Sequence, residues 1–393
     1  MPKPPQITMW SYVWDYFYDG IDDVLKYQKE VLGLTAVSVA TRYHLVEHLR
    51  PHGKGPFIYR HWPALHFRPS VDPYPGTRMR APLSDIVRQG NPFRRIADRC
   101  HALGLELISW TVCNHDDRMG ERNPELCQRN CFGDIYPETL CPANPDVRAF
   151  LAGLAEDLTV NYGVQLMELE LPHYQSKRHY HRHEKISIPF AELDDFLLGL
   201  CFCPFCRRRA RDRRVDAVAV QAQARAALRH VFETGEPHEG TLAEFLHAHP
   251  QVAAYVEMRV ATVTSLLKRL KQASGKADVS AMSWASREAS GADAGQMART
   301  VDSVTVLAYS PEVDEVRRII GEAAKAAGGG AKIRAGFHTY PPNTPDKATL
   351  LRNVEAAVDL GVRAFSFYNY GIMPRRSLGW TREAAALIHR RLG

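Results

Sequence analysis

Apolar residues in this chain gather into short runs that recur from end to end, with amphipathic stretches between them. The strand-like runs fall at about 7–14 (ITMWSYVW), 34–40 (LTAVSVA), 105–112 (LELISWTV), 164–170 (VQLMELE), 277–284 (ADVSAMSW), 303–308 (SVTVLA), 332–338 (KIRAGFH) and 363–369 (RAFSFYN). Apolar positions at helical spacing cover Ile21–Leu32, Phe93–Leu103, Pro145–Tyr162, Tyr255–Ala273, Val313–Ala327, Lys347–Leu360 and Thr381–Leu392. Several of these end in glycine just before the next run ("VLGLTAV", "ALGLELI", "DLGVRAF"), as helix C-caps do. Eight strands alternating with helices, and a helix to close, predict an α/β fold of the TIM (β/α)8 type, whose active site lies at the C-terminal ends of the strands. A doubly wound open sheet would place a glycine-rich phosphate turn after the first strand, and "VWDYFYDG" is not one.

Two connections break the rhythm. The segments at about 41–92, after strand two, and about 171–250, after strand four, are far longer than ordinary βα loops, and both leave from the predicted catalytic face. The second adds helical patterns near 216–233 and 241–248. With no internal repeat and no Ser- or Gly-rich linker, the whole of 1–393 reads as a single barrel domain with elaborated loops.

Composition narrows the class. Of 393 residues 45% are hydrophobic and 24% charged, which suits a globular chain. The net charge of +6 is small beside 50 basic and 44 acidic side chains, and the one dense basic run, Arg207–Arg214, has no interleaved aromatic residues. No nucleic-acid partner is expected from it; it reads as a solvated helix face. The N-terminus has no charged segment leading into an apolar one, and no 18-residue apolar window occurs, so the expectation is a cytoplasmic protein with no membrane partner. A homo-oligomer is allowed but not indicated.

The eight cysteines stand at 100, 113, 127, 131, 141, 201, 203 and 206. In "LCFCPFCRRRA" Cys201, Cys203 and Cys206 are too closely spaced to be independent core residues, and a short CxCxxC frame can supply three thiolates to a tetrahedral zinc ion. Cys141, in "TLCPANPDVR" between strand three and its helix, is the favoured fourth ligand, with Cys127 and Cys131 as alternates. Four thiolates around a dication leave a charge of −2, which Arg207, Arg208 and Arg209 are placed in sequence to offset. The site reads as a structural clip tying the fourth loop to the third.

The stretch "LCPANPDVRAF…NYGVQLMELE…LCFCPFC", over about 138–210, resembles the middle of the family 42 glycoside hydrolases, the β-galactosidases of the large TIM-barrel glycosidase clan. The resemblance implies that Cys141, Cys201, Cys203 and Cys206 bind structural Zn2+ and that Glu170, closing strand four, is the acid/base. Two departures stand beside it: that family has Asn-Glu where this chain has Leu169-Glu170, and a glutamate nucleophile at the end of strand seven, where "RAGFHTYPP" has Phe337, His338 and Tyr340.

Glycoside cleavage by two carboxyl groups needs them on opposite sides of the anomeric carbon. Strand alternation puts Glu168 and Glu170 on one face, with Glu168 deeper and suited to a satisfied position inside the barrel. For the second carboxylate the rim has Asp15, Asp116, Asp117, Glu184 and Glu312, of which Asp116, leaving strand three beside a histidine, is the choice. Trp10, Trp14, Tyr43, Trp110, Trp284, Tyr309, Tyr340 and Tyr368 fall near strand ends, where flat rings can cover a sugar's C–H face while His44, His115, His338 and Asn369 bind hydroxyls. The expected partner is a small-molecule carbohydrate. Two other readings stay open: a metal-dependent TIM-barrel isomerase or hydrolase using His173, His179, His181 and His183, and a barrel that binds carbohydrate without cleaving it.

Overall fold

The structure, a computed structural model, describes residues 4–175, 185–282 and 286–393. Eight parallel strands form a closed barrel: β1 (Gln6–Tyr12), β2 (Ala36–Tyr43), β3 (Glu106–Val112), β4 (Leu166–Glu170), β5 (Asp278–Met282), β6 (Ser303–Leu307), β7 (Ile333–His338) and β8 (Ala364–Tyr368). Each pairs with the next, and β8 returns to β1 with Gln6 opposite Ala364 and Met9 opposite Phe367. The chain is thus a TIM (β/α)8 barrel, as the hydrophobic pattern predicts. Strand β2 is buried on both faces along its whole length, which is why such strands read as unbroken apolar runs.

The helices follow the same pattern at their ends. Asn144 caps the helix Pro145–Asn161 by accepting from the backbone of Asp146 and Val147, and proline occupies its first turn. Gly104, with φ 66°, closes Pro92–Leu103 in the left-handed region, where a side chain would be strained. One boundary differs in a way that matters for the site. The first strand ends at Tyr12, because the Asp15 carboxylate accepts the Tyr12 N–H at 2.8 Å and starts the helix Val13–Asp19. Trp14 therefore leaves the sheet.

Both long connections build structure of their own. The first makes a hairpin of Val46–Leu49 with Ile58–His61, and Ala64–Leu65 adds antiparallel to β2. The second contributes the helices Glu192–Leu198, Pro204–Asp212, Ala217–Thr234 and Leu242–Ala248. These pack with the start of Pro250–Ala273 around Phe196, Leu228, Val252 and Tyr255, a second apolar cluster beside the barrel's own. A third elaboration went unread in the sequence: the loop after β3 carries a hairpin of Cys127–Arg129 with Ile135–Leu140. No helix among the described residues is long and apolar enough to cross a membrane.

Inside the barrel Glu168 is fully buried and held from several strands. Its carboxylate accepts from Trp10 Nε1 at 2.7 Å, Ser38 Oγ at 2.8 Å and Thr305 Oγ1 at 3.1 Å, with Arg334 Nε at 3.6 Å. The sequence expectation of a satisfied interior residue matches this placement. Trp10 lies so close to β7 that a Cβ on Gly336 would stand 2.6 Å from its ring. Gly336→Ala is therefore expected to cost about 1–3 kcal/mol and to shift tryptophan fluorescence as the indole moves. Denaturant unfolding followed by emission checks this, and an unchanged midpoint and spectrum would disprove the contact.

Candidate active site and metal centre

A pocket of about 390 Å³ opens at the C-terminal ends of the strands. Its wall holds Trp10, Tyr43, Trp110, Tyr309, His338, Tyr340 and Tyr368, and Glu170 reaches into it from the end of β4. Met282, Leu307 and Ile372 complete the lining. Glu170 Oε2 accepts Trp110 Nε1 at 2.5 Å. Burial pushes the Glu170 carboxyl up to about 7, the Trp110 bond opposes this, and the nearby Glu168 charge adds to it. A carboxyl in that range gives or takes a proton near neutrality, as a general acid/base must.

The rest of the wall is neutral. His338 stacks on Tyr309 at 3.8 Å, and burial lowers its pKa to about 4. The Tyr12 hydroxyl stands 3.3 Å from that of Tyr43 and 3.4 Å from that of Tyr368, and burial raises all three phenols above their ordinary range. Flat rings, phenolic O–H groups and an imidazole around one carboxyl suit a polyhydroxylated ligand with apolar C–H faces.

The structure gathers Trp10, Tyr43, Tyr309, His338, Tyr340 and Tyr368 around Glu170, and it places other candidates elsewhere. Asp116 does not line the pocket: its Oδ2 pairs with buried Arg42 at 2.6 Å and its Oδ1 accepts Met119 N–H at 2.8 Å, capping the helix Asp117–Arg122. Both oxygens are committed, so the expectation that it faces Glu170 is corrected. Trp14 is likewise no platform; buried in its helix, it stacks on Tyr12 at 4.3 Å and Tyr59 at 4.8 Å and fastens the first hairpin to the barrel. His44 stacks between Tyr43 and His115, at 4.3 and 4.5 Å, and borders a separate cleft with Glu47, Arg60 and Trp62. Asn369 is buried just beyond β8, accepting Gly371 N–H at 3.1 Å.

Among the other acidic candidates, Asp15 contacts Arg50 at 3.4 Å, Asp117 Oδ2 is 3.8 Å from His115 Nε2, and Glu312 is exposed before Val313–Ala327. Trp284, Glu184, His179, His181 and His183 lie outside the described residues. Among those described, Glu170 is the pocket's one carboxylate. His173 is buried with Nδ1 2.7 Å from Tyr174 O.

On the same face, Cys141 joins Cys201, Cys203 and Cys206. The four sulfurs are buried and lie within 4.8 Å of one another, the one such group of metal-capable side chains among the described residues. Cys141 Sγ is 3.5 Å from Cys203 and Cys206 and 3.9 Å from Cys201. A tetrahedral ion with bonds of about 2.3 Å to sulfur sets its ligands about 3.8 Å apart, so the donor set fits a thiophilic metal. Cys127 sits instead against Asn123 and Pro137 carbonyls, and Cys131 lies in the second apolar cluster.

Of the three arginines expected to offset the cluster, only Arg209 is half-buried, close to Arg148. Arg207 and Arg208 are exposed, and Arg207 bonds Phe202 O and Gln221. The cations that feel the sulfurs are Arg259 and Arg148, both buried. Arg259 lies 4.5 Å over the Tyr174 ring, whose hydroxyl is 3.3 Å from Cys206 Sγ. Arg148 bonds Pro142 O at 3.1 Å, next to Cys141. Arg259 was legible as an arginine amid "YVEMRVATV", on a helix stripe otherwise apolar.

The raised Glu170 pKa has a sign for stability. Folded Glu170 keeps its proton up to about 7, whereas the unfolded carboxyl releases it near the usual value, so its contribution falls as pH rises between the two and stays low above. Glu170→Gln should therefore be more stable than wild type at pH 8 by on the order of 1–3 kcal/mol and nearly equal to it at pH 4.5. Unfolding midpoints at the two pH values test this, and a difference independent of pH would refute it.

No family model matches the chain, and no curated protein matches it by sequence. Solved structures do. A β-galactosidase from Halorubrum lacusprofundi aligns with TM-score 0.58 at 11% identity over 97% of this chain and 57% of that one. One from Marinomonas ef1 aligns with TM-score 0.56 at 12% over 97% and 59%. The catalytic domain of a Paenibacillus polymyxa β-amylase aligns with TM-score 0.56 at 11% over 99% and 98%. The chain thus spans under two thirds of those β-galactosidases and nearly all of the β-amylase domain. At these identities the likeness is one of fold: a TIM barrel of the architecture seen in glycosidases.

Proposed function

We propose that this chain is a glycoside hydrolase that cleaves a small sugar conjugate or oligosaccharide, with Glu170 as its general acid/base. The observation that carries the reading is a buried carboxyl, poised to about 7, in an aromatic-walled pocket at the C-terminal mouth of a barrel. Protonated Glu170 would donate to the leaving oxygen while Trp110 holds the carboxyl in place. Trp10, Tyr340 and Tyr368 would cover the sugar's faces, and Tyr43 and His338 would bind its hydroxyls.

A second reading, a barrel that binds carbohydrate without hydrolysing it, is favoured by the single carboxylate in the described lining. The cysteine cluster is proposed to hold structural zinc, which would supply cross-linking rather than chemistry. Cys141 would anchor it from the third loop, and Cys201, Cys203 and Cys206 from the fourth.

Glu170→Gln is expected to lower kcat by about 10²–10⁴-fold and to leave ligand affinity within a few fold, and wild-type turnover should decline as pH rises through about 7. An aryl-glycoside and oligosaccharide panel, followed by calorimetry on its hits, decides: retained turnover in the variant removes Glu170 from catalysis, and binding without turnover in wild type selects the second reading. Elemental analysis should find about one zinc per chain, lost in Cys201→Ser along with thermal stability. No bound metal in the wild type would sink the clip.

A further inference from the structure

A second open cavity lies outside the barrel mouth. A trough of about 1010 Å³ runs between the helices Pro204–Asp212 and Ala217–Thr234, and five arginines converge on it: Arg129, Arg207, Arg208, Arg211 and Arg214. Four of them belong to the run 207–214, and folding brings Arg129 from the hairpin after β3 to join them. Some exposed arginines elsewhere pair with carboxylates, as Arg60 does with Glu47, Arg318 with Glu315 and Glu322, and Arg391 with Glu355 and Asp359. Among the described residues, none of the five in the trough has such a partner. The one acid on its wall, Asp216, uses its Oδ1 to cap Ala217–Thr234 through Val218 and Ala219 N–H, and one carboxylate cannot neutralise five guanidinium groups. Nor are these cations occupied with the sulfur cluster, whose neighbours are Arg148 and Arg259.

Like charges held together without counter-ions repel, and the arrangement is relieved by a ligand bearing several anionic groups. Guanidinium groups bind sulfate and phosphate oxygens in a bidentate fork. Two of the five are already braced by protein carbonyls, Arg129 on Gly133 O at 3.2 Å and Arg207 on Phe202 O at 3.1 Å, which lowers the entropy lost on binding. Nucleic acid fits less well, because it gains from exposed rings on which bases stack. The aromatic side chain on the wall, Phe202, is buried and stacked on Tyr255 at 5.2 Å.

We infer that this arginine trough is a second binding site, for a saccharide chain carrying anionic ester groups, separate from the pocket around Glu170. The choice of a saccharide as carrier rests on the hydrolase reading, whereas the anion site itself does not and survives if Glu170 proves not to be catalytic. The test is calorimetric titration of the full, metal-retaining chain with a heparin octasaccharide, its desulfated counterpart, a phosphomannan fragment and an oligouridylate. The expected result is that the sulfated or the phosphorylated saccharide binds, that added salt weakens it, and that the better of the two identifies the ester. Arg208→Glu/Arg211→Glu should weaken that binding at least tenfold, while Arg317→Glu/Arg318→Glu, an equal charge change on another helix, should leave it within twofold. Thermal melts confirm that both variants fold. Absence of binding by both esterified saccharides, equal loss in both variants, or tighter binding of the oligouridylate would each overturn the proposal.

Discussion

A carboxylate in the middle of a barrel has to be satisfied, and the way Glu168 is satisfied organises much of this molecule. Water does not reach it, so its charge is met by an indole N–H, two hydroxyls and a guanidinium drawn from β1, β2, β6 and β7. Removing any one of these partners would leave part of a buried charge uncompensated. The same bonds fix the Trp10 indole, whose ring forms part of the pocket wall. Two residues along the same strand face, Glu170 feels Glu168 as a like charge and is buried besides. The interior network and the candidate acid/base are therefore one construction: the deeper carboxylate is locked, and the shallower one is left with a single indole donor and a proton to exchange.

The loops apply a similar rule at the rim. Arg42 is buried, so it recruits Asp116 together with the Val112 and Cys113 carbonyls, and this fixes the exit of β3. The four sulfurs bring the exit of the third loop against the helices of the fourth, and buried Arg148 and Arg259 lie near them. Arg207, Arg208, Arg211 and Arg214, which follow Cys206, line a trough instead.

Much of this was legible in the residues. The strand runs were readable because both faces of a parallel barrel strand are covered, and the two-residue period put Glu168 and Glu170 on a common face. The CxCxxC frame pointed to a cluster because no packing reason crowds three thiols so closely. What failed to read out were roles set by a partner distant in sequence. Asp116 looked like a rim carboxylate until Arg42, 74 residues away, took one of its oxygens. Trp14 looked like the last residue of a strand until Asp15 started a helix before it, and the hairpin 58–61 brought Tyr59 and His61 against its ring.

The sequence by itself determined the barrel, the positions of its strands, the two long insertions and the residue types available at the mouth, because hydrophobic period and cap chemistry act over a few neighbouring residues. Tertiary structure alone decided which of those residues share a pocket, which carboxyl is locked and which is poised, which cations lie near the sulfurs and which are left to face solvent. Those outcomes depend on burial and on charges a few ångströms apart in space, and both are properties of the packed molecule.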